Sequence, residues 1–251
     1  MTNNNFFIPN GIEYYMPDEA KKFDKLRSQT IKIFDKYGYG YVIPPIADSL
    51  VNLLNLNSSD LQEKTLSFQD SNTGDKFGIR ADITPQIAKV DLHLSKHKNV
   101  SNKIAYLGDI IRVSHDQFDR INPYQVGAEY FGDIKPSADI ELIKILVEIL
   151  TLSKDSKILI ELGDLSIINQ LLNSLSLNVD DKNTLISLIN IKSKDEIIEF
   201  FAQKKLKQDV LKIICDLITF NGEIKLLSNI KNTLNNFSTK LYPNLKDLEY
   251  I

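Results

Sequence analysis

Asp82, Arg112, Gln125 and Glu129 stand in β-type segments at positions that one face of a sheet can share. Successive side chains of a strand point to opposite faces. In residues 124–132 this puts Gln125, Gly127 and Glu129 on one face and Val126, Ala128 and Tyr130 on the other. In residues 76–81, Gly78, Arg80 and the following Asp82 oppose Phe77, Ile79 and Ala81, and in residues 104–113 Arg112 shares parity with Gly108. If the three segments are neighbours, one face carries all four polar groups, and Gly78, Gly108 and Gly127 leave open space above the backbone. The chemistry suits a small zwitterion. Arg112 can hold a carboxylate through two parallel hydrogen bonds, Asp82 and Glu129 can hold an ammonium or imidazole, and Gln125 offers a donor and an acceptor. The solvated outer face of an antiparallel sheet fits the same pattern equally well, and the three glycines tip the reading toward a site.

Other reactive side chains point to ordinary structure. His93 and His97 lie four apart on an expected helix, a spacing that can serve a metal, but no third ligand stands at a matching step, so no metal centre is expected. His115 reads as a solvated loop histidine. Ser114, His115 and Asp116 are adjacent in sequence, and neighbours of that kind rarely supply nucleophile and base geometry. Cys215, the single cysteine, sits in the apolar run KIICDLITF and reads as core. No catalytic residue and no cofactor is expected.

The elements that must position these groups follow from periodicity. A helix is expected over residues 17–37, with Pro17 in the first turn, Asp18 and Glu19 at the positive end of the dipole, Gly38 as the stop, and Phe23, Leu26, Thr30, Ile33 and Tyr37 as the buried stripe. Residues 39–43 read as a strand ended by Pro44 and Pro45. Thr84 and Pro85 look like the N-cap and first turn of a helix to about residue 98; Ser137 looks like the cap of another to 149. Residues 157–162 read as a strand. Amphipathic helices are expected over 165–175, 194–203, 207–220 and 223–237. Antiparallel runs with helices gathered on one side favour an α+β architecture, with a core over residues 1–163 and a mainly helical, appended or insertion-type unit over 164–251.

Composition bounds the function. A chain of 251 residues that is 43% apolar can bury one or two cores, while 30 basic against 33 acidic residues, a net charge of -3, give no footprint for nucleic acid. One cysteine excludes an internal disulfide. The N-terminus has no signal-peptide pattern and no segment is long enough to span a membrane, so the expectation is a cytoplasmic protein.

FDKYGYGYVIPPIAD (34–48), KFGIRADITPQIAK (76–89) and YLGDIIRVSHDQFDRINPYQVGAEYFG (106–132) resemble the first motif, the following segment and the second motif of class II aminoacyl-tRNA synthetases of the histidyl branch. With IPNGIEYYMPDEA and ILIELGD, the likeness spans roughly residues 8–164. Within that branch, RADITPQ and QVGAE are most similar to the ATP phosphoribosyltransferase regulatory subunits; a synthetase is expected to carry Arg-Pro-Glu-X-Thr where this chain has Ala81 and Asp82. The resemblance implies an antiparallel sheet flanked by helices, a homodimer through the first motif, and a histidine site at Asp82, Thr84, Arg112, Gln125 and Glu129. It also implies a non-catalytic subunit that activates a short-form catalytic subunit of ATP phosphoribosyltransferase, in a hetero-octamer, and transmits inhibition by histidine.

Ser114 stands where the synthetases' second motif has a glutamate that contacts the adenine end of ATP. The third motif, the histidine-specific tyrosine-rich segment and an anticodon-binding domain would lie beyond Ile251, so either a short regulatory form or an incomplete chain is expected. Two other readings stay open: a histidyl-tRNA synthetase core that activates histidine, and a binding module for another amino acid.

Overall fold

The structure is a computed structural model that describes residues 7–54, 59–97, 101–113, 119–153, 157–163, 165–219 and 222. Ser114, His115, Asp116 and the helix expected over 223–237 lie outside the described residues, as does the side chain of His97.

The chain forms two compact units, Met1–Ile158 and Leu159–Ile251. The first opens with α1 (Pro17–Lys36), whose Glu19 Oε2 accepts the Met16 N–H at 3.0 Å and whose end is closed by Gly38 at φ +77°. Thr30, Ile33 and Phe34 are its buried residues, so the stripe turns further toward Phe34 than the spacing suggests. There follow β1 (Gly40–Val42), β2 (Ala47–Ser49), α2 (Leu50–Leu53), α3 (Ser59–Lys64), β3 (Leu66–Gln69), β4 (Lys76–Ile79), α4 (Thr84–Leu94), β5 (Asn102–Asp109), β6 (Tyr124–Phe131) and α5 (Pro136–Leu150).

The strands make two three-stranded sheets, β1-β5-β6 and β2-β4-β3. The second is antiparallel throughout, whereas the first combines a parallel β1–β5 pair with an antiparallel β5–β6 pair. A parallel pair needs a long crossover, and residues 43–101 supply it. The architecture is α+β, but the helices are not gathered on one side of the first sheet. Ile33 and Phe34 of α1 and Ile145 of α5 pack with Ala105 and Leu107, while Ile83 and Ile87 pack with Ile104 and Tyr106 on the other face. The run Ile104 to Leu107 is at most 3% exposed, which is the pattern of a strand covered on both faces. Lys103 Nζ, 2.6 Å from Glu141 Oε1, ties β5 to α5, and the Tyr39 hydroxyl donates to the same oxygen at 3.1 Å.

Two caps differ from expectation. Lys135 precedes α5, so Ser137 is already inside the helix, and Ile83 is the N-cap of α4, so Thr84 is its first residue. Residues 157–163 run as an irregular, largely exposed segment, with Leu159 82% exposed, and not as a strand. β-branched composition makes a segment fit for a sheet but supplies no pairing partner.

In the second unit α6 (Leu165–Asn173), α7 (Val179–Asn190), α8 (Lys194–Gln203) and α9 (Gln208–Leu217) share a core that includes Leu171, Leu185, Ile197, Phe201 and Ile214. Cys215 is buried in that core, and desolvation pushes its thiol up. Helix α7 was not expected from the sequence; it buries only Leu185 and starts on Asn178, whose side-chain oxygen accepts the Asp181 N–H at 2.8 Å. Asn178→Ala is expected to cost about 1 kcal/mol. The check is faster amide exchange in the first turn of α7 than in α8.

Candidate functional site

Segments 76–81, 104–113 and 124–132 are not three neighbouring strands: β5 and β6 pair, but β4 belongs to the other sheet. Asp82 still reaches the β5–β6 face, because residues 80–83 turn across the end of β5. The Ile111 N–H donates to the Arg80 carbonyl at 3.0 Å, and Arg80 Nε donates to the Asp109 carbonyl at 2.8 Å. Arg80, 4% exposed, also donates from Nη1 to the Pro44 carbonyl at 2.7 Å and more weakly to Pro45 at 3.3 Å. This one guanidinium therefore links the chain after β1 to the end of β5, underneath the turn that presents Asp82. Burial lowers its pKa, an effect opposed by the charge of Asp109.

On this platform Asp82, Thr84, Gln125 and Glu129 form a bonded group. Gln125 Nε2 donates to Asp82 Oδ1 at 2.8 Å, and Gln125 Oε1 accepts the Ile83 N–H at 3.0 Å. Asp82 Oδ1 also accepts the Thr84 N–H at 3.1 Å. Asp82 thus serves the first turn of α4 in the way a capping side chain does, which leaves the Thr84 hydroxyl to donate to Glu129 Oε1 at 3.1 Å. The Arg112 Nε donates to the Ala81 carbonyl at 2.9 Å, so Arg112 is fastened to the backbone at the edge of the group. The N-terminal segment closes over the same end: Ile121 N–H donates to the Gly11 carbonyl at 2.7 Å, and Arg120 Nη2 meets Glu13 Oε1 at 2.7 Å.

The expectation of open space above the three glycines fails. A Cβ on Gly127 would stand 2.2 Å from the Tyr106 hydroxyl, one on Gly108 would stand 2.3 Å from Arg80 Nη2, and one on Gly78 would stand 2.8 Å from Leu50 Cδ2. Each glycine admits a neighbouring side chain. Tyr106 and Arg80 join the candidate site although neither was among the ligand residues expected from the sequence, where Arg80 was only placed on the face of Gly78 and Asp82. Parity puts Tyr106 on the same face of its strand as Gly108, and the observed register sets it directly opposite Gly127.

Tyr106 is 3% exposed, and its hydroxyl lies 2.8 Å from Thr84 Oγ1 and donates to Glu129 Oε1 at 3.3 Å. Burial drives the phenol well above its ordinary range. Burial also raises the Glu129 carboxyl, the hydrogen bonds from Thr84 and Tyr106 pull it back, and the nearby Asp82 charge adds to the rise. The arrangement is a half-buried acceptor set with a carboxylate that gains from a cationic visitor. His93 is exposed on α4, and among the described residues no three His, Cys, Asp or Glu side chains are grouped to hold a metal. No described helix is long and apolar enough to cross a membrane. A separate pocket of about 180 Å³ lies on the opposite face of the sheet, lined by apolar groups such as Phe23, Leu107, Val126 and Leu150 together with Arg27 and Thr30.

Residues 11–251 match the family model described as histidyl-tRNA synthetase. Among curated proteins the chain is 29% identical over 250 residues to the ATP phosphoribosyltransferase regulatory subunit of Thioalkalivibrio sulfidiphilus, covering 99% of this chain and 63% of that one. Among solved structures it is similar, at TM-score 0.82 and 18% identity, to an ATP phosphoribosyltransferase regulatory subunit/histidyl-tRNA synthetase from Bacillus halodurans, covering 100% of this chain and 64% of that one. A chain of the ATP phosphoribosyl transferase complex from Thermotoga maritima is similar at TM-score 0.58 and 20% identity, with 86% of this chain and 77% of that chain covered. The chain spans about three fifths of the length of the curated relatives it matches.

Proposed function

Because the chain belongs to the histidyl-tRNA synthetase family, we propose that it acts as a non-catalytic regulatory subunit of ATP phosphoribosyltransferase, the first enzyme of histidine biosynthesis. The observation that carries the reading is the joined group of Asp82, Thr84, Gln125 and Glu129, which offers an ammonium two carboxylates and a hydroxyl. Arg112 at its edge is assigned to the carboxylate of the same amino acid, histidine. The names of the relatives and the complex from Thermotoga maritima support a catalytic partner. The partner is a short-form catalytic subunit in a cytoplasmic hetero-octamer, the family core forms a homodimer, and residues 164–251 are an appended or insertion-type unit. Nucleic acid has no part in the activity.

Histidine can transmit inhibition only if it binds one state of the complex more tightly than the other. Phosphoribosyl-ATP formation by a short-form catalytic subunit is expected to rise when this chain is added and to fall again with histidine. No stimulation and no co-elution would remove the reading. The family model's own name favours a second reading, a synthetase core that activates histidine. Histidine-dependent exchange of pyrophosphate into ATP would establish it, against the expectation set by Ala81 and Asp82.

A further inference from the structure

We propose that the pocket between α1, α5 and the far face of the β5–β6 pair is a binding site for a small monocarboxylate with a compact apolar body, held by Arg27 at one end and by Phe23, Leu107 and Val126 around the body. The inference does not rest on the amino-acid reading above, because this pocket and the group of Asp82 and Glu129 lie on opposite faces of the sheet.

The pocket sets one charge against an apolar wall. Among the described residues that line it, Arg27 is the one that carries a charge. Its guanidinium donates to the Tyr41 hydroxyl, and the Asp24 carboxylate lies 3.8 Å away on a side chain that is 80% exposed, too far and too wet to satisfy a second donor. The Arg27 side chain is 42% exposed as a whole, yet its Nε is buried and meets no acceptor among the described residues. A buried N–H of a charged group without an acceptor is costly, and native proteins leave few of them. A carboxylate entering the pocket removes that cost, because its two oxygens match Nε and the neighbouring Nη along one edge of the guanidinium. Burial raises the pKa of the Tyr124 phenol and the Arg27 charge opposes the rise, so a second hydroxyl stands near the same group. Thr30 does not compete, since its hydroxyl already donates to the Leu26 carbonyl at 3.0 Å.

Size limits the body of the ligand. The pocket has a volume of about 180 Å³, and a cavity of about 150 Å³ lined by aliphatic and aromatic groups takes one benzene ring. A six-membered ring or a branched chain of similar bulk therefore fits, with its carboxylate toward Arg27. Part of the wall is set before the ligand arrives: Phe23 stacks on Tyr15 with ring centroids 4.7 Å apart and meets Tyr124 edge-on at 4.8 Å. Leu26, Val126 and Leu150 are 42%, 41% and 42% exposed, so the rim is apolar surface that such a body would remove from water. An amino acid is disfavoured, because its ammonium would meet Arg27 or the apolar walls.

The test is a methyl NMR titration of the full chain with three probes: benzoate, benzyl alcohol, which keeps the ring and loses the charge, and acetate, which keeps the charge and loses the ring. Benzoate should shift the methyls of Leu107, Val126 and Leu150 to saturation, benzyl alcohol should bind about tenfold more weakly, and acetate should leave them in place. In Arg27→Met, benzoate should fall to the affinity of benzyl alcohol, which itself should not change. Val126→Phe, which fills the pocket from its rim, should weaken both. Arg27 and Val126 are partly exposed, so both variants should melt near the wild type. Equal benzoate affinity in the wild type and Arg27→Met would overturn the proposal, and so would benzoate that moves none of these methyls. Shifts that follow protein concentration without any probe would overturn it too, since a second copy of the chain would then cover the pocket.

Discussion

Glu129→Gln is expected to weaken histidine binding about 100-fold while leaving the fold as stable as the wild type or more so. The loss corresponds to roughly 2–3 kcal/mol, the cost of removing the charged partner of a desolvated ammonium. The gain follows from linkage. Burial raises the folded-state pKa of Glu129 above its unfolded value. A carboxyl shifted in that direction contributes stability that is fully present below the unfolded pKa and is lost as pH rises through the folded pKa. Glutamine keeps an acceptor for Thr84 and Tyr106 but cannot ionise, so the variant escapes that loss. Isothermal titration and urea unfolding at pH 7.5 would read the two effects separately. Wild-type affinity should also fall as pH drops through the raised Glu129 pKa, at a higher pH than an ordinary glutamate would give, and the variant should lack this acid limb. Equal affinity in the two proteins would remove Glu129 from the site.

Arg80→Leu should cost about 3–5 kcal/mol of stability in urea unfolding. The substitution leaves the Pro44 and Asp109 carbonyls without their donor, and a hydrogen bond from a charged group contributes roughly 1.5–3 kcal/mol. Arg80→Lys should cost less but still be damaging, because an ammonium cannot reproduce a planar fork that reaches carbonyls on two sides. Since the same guanidinium lies beneath the turn carrying Asp82, the lysine variant should bind histidine more weakly even where it remains folded. An unfolding midpoint equal to that of the wild type in Arg80→Leu would show that the carbonyls find other donors.

Part of the candidate site was legible because a strand has a period of two. Gln125 and Glu129 share a face by parity, whereas Tyr106 joins them only through the β5–β6 register, which spacing alone does not give. Asp82 was placed on that face for the wrong reason. It arrives from a turn and a helix start, not from a third neighbouring strand, and pairing partners are a tertiary property that local pattern does not encode. The glycines were misread in a related way. Absence of a side chain at Gly108 and Gly127 was taken as room for a ligand, although the nearest long side chains, Arg80 and Tyr106, were already on the same face. Short elements escaped as well: β3 is exposed along its whole length, so it carries no alternation to detect. Helix α7 buries a single residue, which gives its stripe little contrast.

The parallel β1–β5 pair bears on the order in which the first unit can assemble. β5 and β6 are joined by residues 110–123 and meet as an antiparallel pair, so they can find each other early. β1 joins β5 only across residues 43–101, which contain the whole of the second sheet and α4. Closing that span costs chain entropy before any contact repays it. The Gly40, Tyr41 and Val42 edge should therefore dock late. Arg80, which grips Pro44 immediately after that edge, is then expected to slow the release of the edge once it has docked.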